Sequence, residues 1–323
     1  MVSLPSVAVV GAGVAGVCCA AQLRDAGFPV QIFDKSRGVG GRLATRRWPS
    51  GLAFDHGAPS FAVEDTALRA ELEAAGDTAA CWQPAPGTEA DAADWVGTPR
   101  MNAWLKPRLG ELAPQLNTPI NRVSRSTVGW SLAIEKRTKT VSADLVVLAT
   151  PAPQAAVLAA EVDELASTLA AVRFTPCWAV LLALSTPAPT PHAVITDLPA
   201  GGSLAWLGRN SSKPGRDPDN PGWVAHAAGD WSTEHLELST EAAVAALLPA
   251  ITDILGVTRD QVSRAQAHRW RYAQVAEAAG VPYLASDDNT LFAVGDGCLG
   301  GGVDGAYRSA RALATALIEH HAI

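Results

Sequence analysis

Gly11, Gly13 and Gly16 stand in Gly11-Ala12-Gly13-Val14-Ala15-Gly16 with the spacing G-x-G-x-x-G, and Asp34 follows farther along the chain. That pattern can hold a dinucleotide. Gly11 permits a tight turn, Gly13 lets the backbone come close to a pyrophosphate, and Gly16 lets the following helix pack against its strand. Free N–H groups and the positive end of the helix dipole face the anion. Asp34 can accept hydrogen bonds from a ribose diol. A glycine-rich turn without ligand would share the glycines but would not need the flanking register.

Further polar groups lie where they could extend this site. Lys35-Ser36-Arg37-Gly38-Val39-Gly40-Gly41-Arg42 is a basic, glycine-rich loop, and Arg37 or Arg42 can clamp a pyrophosphate with a guanidinium fork. Gly57-Ala58-Pro59-Ser60 is a turn of small residues, suited to a backbone passing close to a flat ring. Near the end of the chain, Asp296 follows an apolar run, and Gly300-Gly301-Gly302-Val303-Asp304 opens a helix. Trp178, Trp206, Trp270 and Tyr272 can wall a pocket for a flat substrate, with Arg209 at its polar edge. The five cysteines, Cys18, Cys19, Cys81, Cys177 and Cys298, have the spacing of neither a disulfide framework nor a zinc site, so no metal is expected.

The elements that must carry these residues alternate. Val7-Ala8-Val9-Val10 reads as a buried strand and an alanine-rich helix follows to about Ala26, with Gly27 as its stop. Val30 to Phe33 is a second strand, Asp144 to Thr150 another, and Leu291 to Val294 a last one before the helix Gly305–Glu319. Phe54 leads a short strand into the Gly57 turn. Thr66–Ala75, Met101–Leu112 and Gln154–Leu169 read as helices, and Asp77–Thr98 as irregular. Asn121 to Val123 and Gly129 to Ile134 pair as antiparallel strands. Cys177–Leu184, Leu204–Leu207, Trp223–Ala227 and His268–Tyr272 read as strands of a second sheet. Thr240–Leu255 is an amphipathic helix, kinked at Pro249. The loop Asn210–Gly222 carries Lys213 and Arg216 among turn formers.

The chain of 323 residues suggests about two domains. Its composition, 48% hydrophobic and 18% charged, is that of a globular protein, and a net charge of −7 argues against nucleic acid as the main partner. The apolar N-terminus lacks a basic region and keeps the phosphate-turn spacing, so it is read as a strand and not a signal peptide. No apolar run approaches the ~18–20 residues of a membrane span. Together with the cysteine pattern, this gives a cytoplasmic expectation and no membrane partner.

The first turn, Asp34, Gly40-Gly41-Arg42, Val123, Ala149-Thr150-Pro151 and Gly295-Asp296 resemble flavin amine oxidases and their relatives. Asp34 to Arg42, Ala149 to Gln154, Trp206 to Pro214, Ala267 to Ala273 and Gly295 to Leu299 extend the resemblance along the whole chain, to bacterial renalases. The resemblance implies an α/β fold: a glutathione-reductase-like FAD-binding Rossmann domain interleaved with a mixed-sheet α+β substrate domain. On that pattern residues 1–65, 98–153 and 285–323 form the FAD domain, and 66–97 and 154–284 the substrate domain. It implies noncovalent FAD, held at Gly11, Gly13, Ala15, Gly16, Asp34, Lys35, Arg42, Gly57, Ala58, Pro59, Ser60, Val123, Asp296 and Val303. Asp296 would meet the ribityl hydroxyls and Val123 the adenine through its backbone. The activity implied is hydride removal from isomers of dihydronicotinamide NAD(P)H, giving NAD(P)+, with O2 as electron acceptor. Two features depart from the pattern. Many amine oxidases carry a lysine in the strand matching Thr175–Val180, and this chain has none there. Gly302 stands where a larger polar residue is expected. Oxidation or desaturation of an amine or other small metabolite, and flavin binding without turnover, are the competing readings.

Overall fold

The computed structural model describes residues 3–83 and 94–322. Its strands in chain order are β1 (Val7–Val10), β2 (Val30–Phe33), β3 (Thr45–Arg47), β4 (Ala53–Asp55), β5 (Ala79–Trp82), β6 (Asp94–Gly97), β7 (Ile120–Ser126), β8 (Gly129–Ile134) and β9 (Thr140–Ala143). They continue with β10 (Leu145–Leu148), β11 (Arg173–Leu184), β12 (Val194–Ile195), β13 (Leu204–Arg209), β14 (Gly222–Ala227), β15 (Val262–Glu277), β16 (Leu284–Ala285) and β17 (Leu291–Ala293). The helices are α1 (Val14–Asp25), α2 (Thr66–Glu73), α3 (Lys106–Leu109), α4 (Ala152–Leu158), α5 (Asp163–Ala171), α6 (Gly229–Glu234), α7 (Thr240–Leu255), α8 (Asp296–Leu299) and α9 (Gly302–His321).

Two five-stranded sheets organise the chain. The first has the order β16-β17-β10-β1-β2, parallel except for β16. Both β1 and β10 are buried at every position, as a parallel strand covered on both faces must be. Val7 and Val9 join α1 and α9 in one core, whereas Ala8 and Val10 face α4, α5 and the three-stranded β7-β8-β9 sheet in another. The helix α1 can lie this close to its strand only because Gly16 lacks a side chain: a Cβ there would stand 1.9 Å from the Gly11 carbonyl oxygen.

The second sheet, β12-β13-β14-β11-β15, is antiparallel throughout. Trp178, Val180 and Leu182 of β11 point to one face, under Leu247, Ile251 and Leu255 of α7. Leu181 and Ala183 point to the other, toward Trp48 and Phe54. Ser239 caps α7 by accepting the Ala242 N–H at 3.1 Å, and Gly256 ends it in the left-handed region. The helix runs through Pro249 as one element.

Three expectations change. The helix read over Gln154–Leu169 is two, α4 and α5, and the second starts at Asp163 and Glu164, acids placed at the positive helix end. Met101–Leu112 holds only a 3-10 turn, Ala103–Leu105, and α3, whose first turn carries Pro107 and which Gly110 stops at positive φ. The stretch Asp77–Thr98 contains the hairpin strands β5 and β6, whose buried Trp82, Trp95 and Val96 join the core beside α1. Burial of those three side chains overrides an alanine-, proline- and aspartate-rich composition. The remainder of that expectation, residues 84–93, lies outside the described residues. Among the described residues, no helix is long and apolar enough to cross a membrane.

Candidate active site

A cavity of about 2340 Å³ extends from the carboxyl ends of the parallel strands to one face of the second sheet. At its first end, Gly11 adopts φ 114° and Gly13 precedes α1. A Cβ on Gly13 would meet no atom within 4 Å, so the space over the helix N-terminus is open to a ligand. The Asp34 carboxylate accepts the N–H groups of Ala12 and Ser36, each at 2.6 Å, which locks the strand end to the glycine turn. Lys35 Nζ donates to Gln154 at 3.3 Å. Arg42 meets both carboxylate oxygens of Asp296, at 2.6 and 2.5 Å, and donates to the Ala273 carbonyl at 3.0 Å. This pair joins the basic loop, β15 and the start of α8 across the cavity. Ala58 N–H donates to the Arg42 carbonyl at 2.8 Å, and a Cβ on Gly57 would come within 1.9 Å of that oxygen. Asp304 binds no part of this end: it accepts the Glu64 and Asp65 N–H groups.

The other end is built from imidazoles and indole. Antiparallel pairing sets Ala179 opposite both His226 and His268, so all three share a face, and Cys177 pairs with Trp270 on that face. His56, just after β4, packs its ring 4.7 Å from His268 and 5.2 Å from Trp270. Trp270 Nε1 donates to the His56 carbonyl at 2.8 Å. Among the described residues, His56 Nδ1, His226 Nε2 and the Thr150 hydroxyl are buried without a hydrogen-bond partner, and all three residues line the cavity. Each such atom costs about 1–3 kcal/mol unless something in the cavity meets it.

Burial holds all three imidazoles neutral. The His56 pKa falls to about 3 through burial and the nearby His268 and Arg46, against the Ala44 carbonyl and Asp55. That of His226 falls to about 4 through burial and Lys213, and that of His268 to about 4 through burial and Arg46. Burial also pushes the Cys177 thiol up to about 12 and Cys298 up to about 11, so neither is a thiolate nucleophile.

Behind this wall lies a buried ion cluster. Asp55 Oδ2 accepts Lys213 Nζ at 3.2 Å and Arg216 at 3.1 and 2.7 Å, and Oδ1 accepts the Thr45 hydroxyl at 2.6 Å. The side chains of Asp55, Lys213 and Arg216 are 0%, 2% and 4% exposed. Burial opposes ionisation of Asp55, yet the two cations and the hydrogen bonds outweigh it and leave its pKa below the ordinary value. The cluster sets two basic groups against one carboxylate next to His226, and burial, with Arg216, lowers the Lys213 pKa against the pull of Asp55.

The structure brings together most of the residues expected to form the site. Gly11, Gly13, Ala15, Asp34, Lys35, Arg42, Gly57, Ala58, Pro59, Ser60, Asp296 and Val303 line the cavity, as do Trp270 and Tyr272. Gly16 lies beneath it, packed on Gly11. Three placements differ from expectation. Trp178 sits on the opposite face of β11, 1% exposed under α7, with its Nε1 donating to the His235 carbonyl. Trp206 shares the cavity face by register but folds over Gly208, where a Cβ would be 2.1 Å from its ring, and packs into neighbouring core. Arg209 lies on the other face of β13 and lines a separate cavity of about 480 Å³ with Trp223. Val123, expected to act through its backbone, has its side chain buried in the core beneath β7, and its neighbours Ile120 and Asn121 line the cavity. His56, His226 and His268 were not singled out from the sequence, and neither was the Asp55 cluster.

Comparison with known proteins fits this arrangement. Residues 100–318 match the family described as flavin containing amine oxidoreductase, and residues 9–73 match the NAD(P)-binding Rossmann-like domain. The chain belongs to the flavin-containing amine oxidoreductase family and is a flavin-dependent oxidoreductase with FAD as cofactor. A 4,4'-diapophytoene desaturase of Staphylococcus haemolyticus is 40% identical over 70 residues, which span 22% of this chain and only 14% of that protein. A structure assigned as a protoporphyrinogen oxidase from Exiguobacterium superposes over 99% of this chain and 100% of its own, with TM-score 0.80 and 13% identity. Cyclohexylamine oxidase from Brevibacterium oxydans superposes over 98% of this chain and 99% of its own, with TM-score 0.74 and 12% identity. At such identities the likeness is one of fold.

The described residues fit FAD at the first end. The open space above Gly13, the α1 N-terminus and the unpartnered Thr150 hydroxyl form a cradle with nothing of the protein's own to fill it.

Proposed function

We propose that this chain is an FAD-dependent oxidase that takes hydride from dihydronicotinamide substrates, isomers of NAD(P)H, to give NAD(P)+. The observation that carries the reading is the charge of the cavity. Seven lysines and arginines line it against two aspartates once Arg269 and Arg271, which pair with Glu237 on the far face of β15, are set aside, in a chain of net charge −7. A lining of that sign suits a ligand bearing phosphates and repels a protonated amine. Arg46, beside His56 and His268, supplies positive charge at the second-sheet end, whereas Arg269 and Arg271 turn to the face of β15 away from the cavity and pair with Glu237. When bound, the flavin accepts two electrons as hydride and passes them to O2, which with one further proton leaves as H2O2.

In this reading the chain's own residues bind and orient. Gly13 and the α1 N-terminus hold the pyrophosphate, Asp34 and Lys35 the adenosine end, and Arg42 with Asp296 the middle. The turn Gly57–Ser60 and Val303 flank the ring. Trp270 and Tyr272 stack the substrate and exclude water. No cavity cysteine is a thiolate, which supports noncovalent attachment. The split of the chain into an FAD part (1–65, 98–153, 285–323) and a substrate part (66–97, 154–284), arranged as in glutathione reductase, belongs to the same reading. Oxidation or desaturation of an amine or another small metabolite is the second reading, favoured by the family's description and by the relatives above. Anaerobic mixing separates the two. Bleaching of the flavin by 2- or 6-dihydronicotinamide isomers, and not by amines, is expected. Bleaching by amines alone overturns the proposal.

A further inference from the structure

We infer that His56, His226 and His268 form a head-group pocket that selects a substrate carrying an uncharged planar carboxamide on a flat ring. The inference rests on the placement of the substrate at the second-sheet end of the cavity, as read above.

The pocket follows from register. His226 and His268 flank Ala179 in one row of the sheet, and adjacent strands lie ~4.8 Å apart, so the two imidazoles stand on either side of a methyl-sized floor. His56 closes the third side, with its ring edge-on to His268 at 4.7 Å and 77°. Trp270 packs edge-on to His268 at 4.5 Å and supplies a flat surface beside the group. The sequence spends three of its seven histidines here.

The head group is chosen by hydrogen-bond type. A neutral imidazole offers one N–H donor and one bare nitrogen acceptor. A primary carboxamide offers both kinds of partner, a carboxylate only acceptors and an ammonium only donors. Within the trio, His56 Nδ1 and His226 Nε2 are buried and lack a partner. The charged and titratable groups that face the trio are Arg46 from β3, Asp55 from β4, Lys213 from the loop after β13 and Cys177 from β11. Burial keeps the imidazoles from charging, with His268 adding to it at His56, Lys213 at His226 and Arg46 at His56 and His268, and burial keeps the thiol protonated. The pocket therefore keeps its mixed donor and acceptor character across the physiological range.

Benzamide, benzoate and benzylamine share a ring and differ in head group, so they test the inference on the FAD-loaded protein by flavin difference absorbance. Benzamide should bind at least tenfold tighter than either other probe. The variants His226→Gln and His268→Phe should each weaken benzamide at least tenfold while FAD stays bound. Benzoate or benzylamine binding as well as benzamide, no benzamide binding, or unchanged benzamide binding in both variants overturns the inference. Failure of dihydronicotinamides to reduce the flavin, with benzamide still bound through His226 and His268, overturns only the assigned activity. Reduction by those substrates with indifference to the head group overturns only this pocket.

Discussion

Replacing Asp55 by Asn leaves Lys213 and Arg216 facing each other in the interior without a counter-ion. All three side chains are 4% exposed or less, so water cannot reach in to compensate. Removing one partner of a buried ion pair costs about 3–5 kcal/mol. For a chain of 323 residues, an unfolding entropy of ~2.1 cal/mol/K per residue gives about 0.7 kcal/mol/K. The expected fall in Tm is therefore roughly 4–7 °C at pH 7, read by far-UV circular dichroism with saturating FAD. Lys213→Met has the opposite character: it leaves Asp55 and Arg216 as a neutral pair with two short contacts, and should cost at least about 2 kcal/mol less than Asp55→Asn. The pH dependence has a definite sign. The folded pKa of Asp55 is depressed, so its contribution is present above the ordinary carboxylate value and is lost as pH falls below it. The gap between parent and Asp55→Asn should therefore shrink below about pH 4. Equal losses in Asp55→Asn and Lys213→Met, or a gap that widens in acid, would refute the account of the cluster.

Other expectations are separable. Gly13→Ala places its methyl in open space, where the proposed site holds the pyrophosphate, so the variant should fold with a normal melt but lose FAD on dialysis. Gly16→Ala drives a methyl into the Gly11 carbonyl and should lower yield and Tm. Trp178→Ala should destabilise by about 3–5 kcal/mol as a core truncation, while Trp270→Ala should keep FAD and slow its reduction by substrate, seen in stopped-flow absorbance. Acid precipitation should release all yellow colour to the supernatant, and colour left in the pellet would show a covalent bond.

The dinucleotide turn and the parallel strands were legible because every signal for them is local. Val7 to Val10, the glycine spacing and Asp34 lie within one short stretch, and the close contact of Gly16 with Gly11 is written in that spacing. The substrate end was not legible, because the row His226-Ala179-His268 exists only once the register of β14, β11 and β15 is set. The same register separates Trp178 from Trp270. Period-two alternation says that Cys177 and Trp178 point opposite ways, but not which of them meets the cavity. Lys213 and Arg216 stand in a loop of prolines and glycines, and nothing nearby in sequence announces Asp55 as their partner. The β5–β6 hairpin was hidden for the same reason, since its strand character comes from the core that buries Trp82 and Trp95.

The pairing of β10 with β17 also has a consequence for the order of events during synthesis. The glycine turn on β1 leaves the ribosome well before β17, Asp296 and α9, and the core that α1 shares with α9 stays open until they follow. Contacts this distant in sequence close late. The nascent chain therefore carries an exposed apolar face from the synthesis of α1 until α9 follows, a stage at which chaperones would engage it. Chains arrested before Leu291 should not retain FAD on the ribosome, while released full-length chains should.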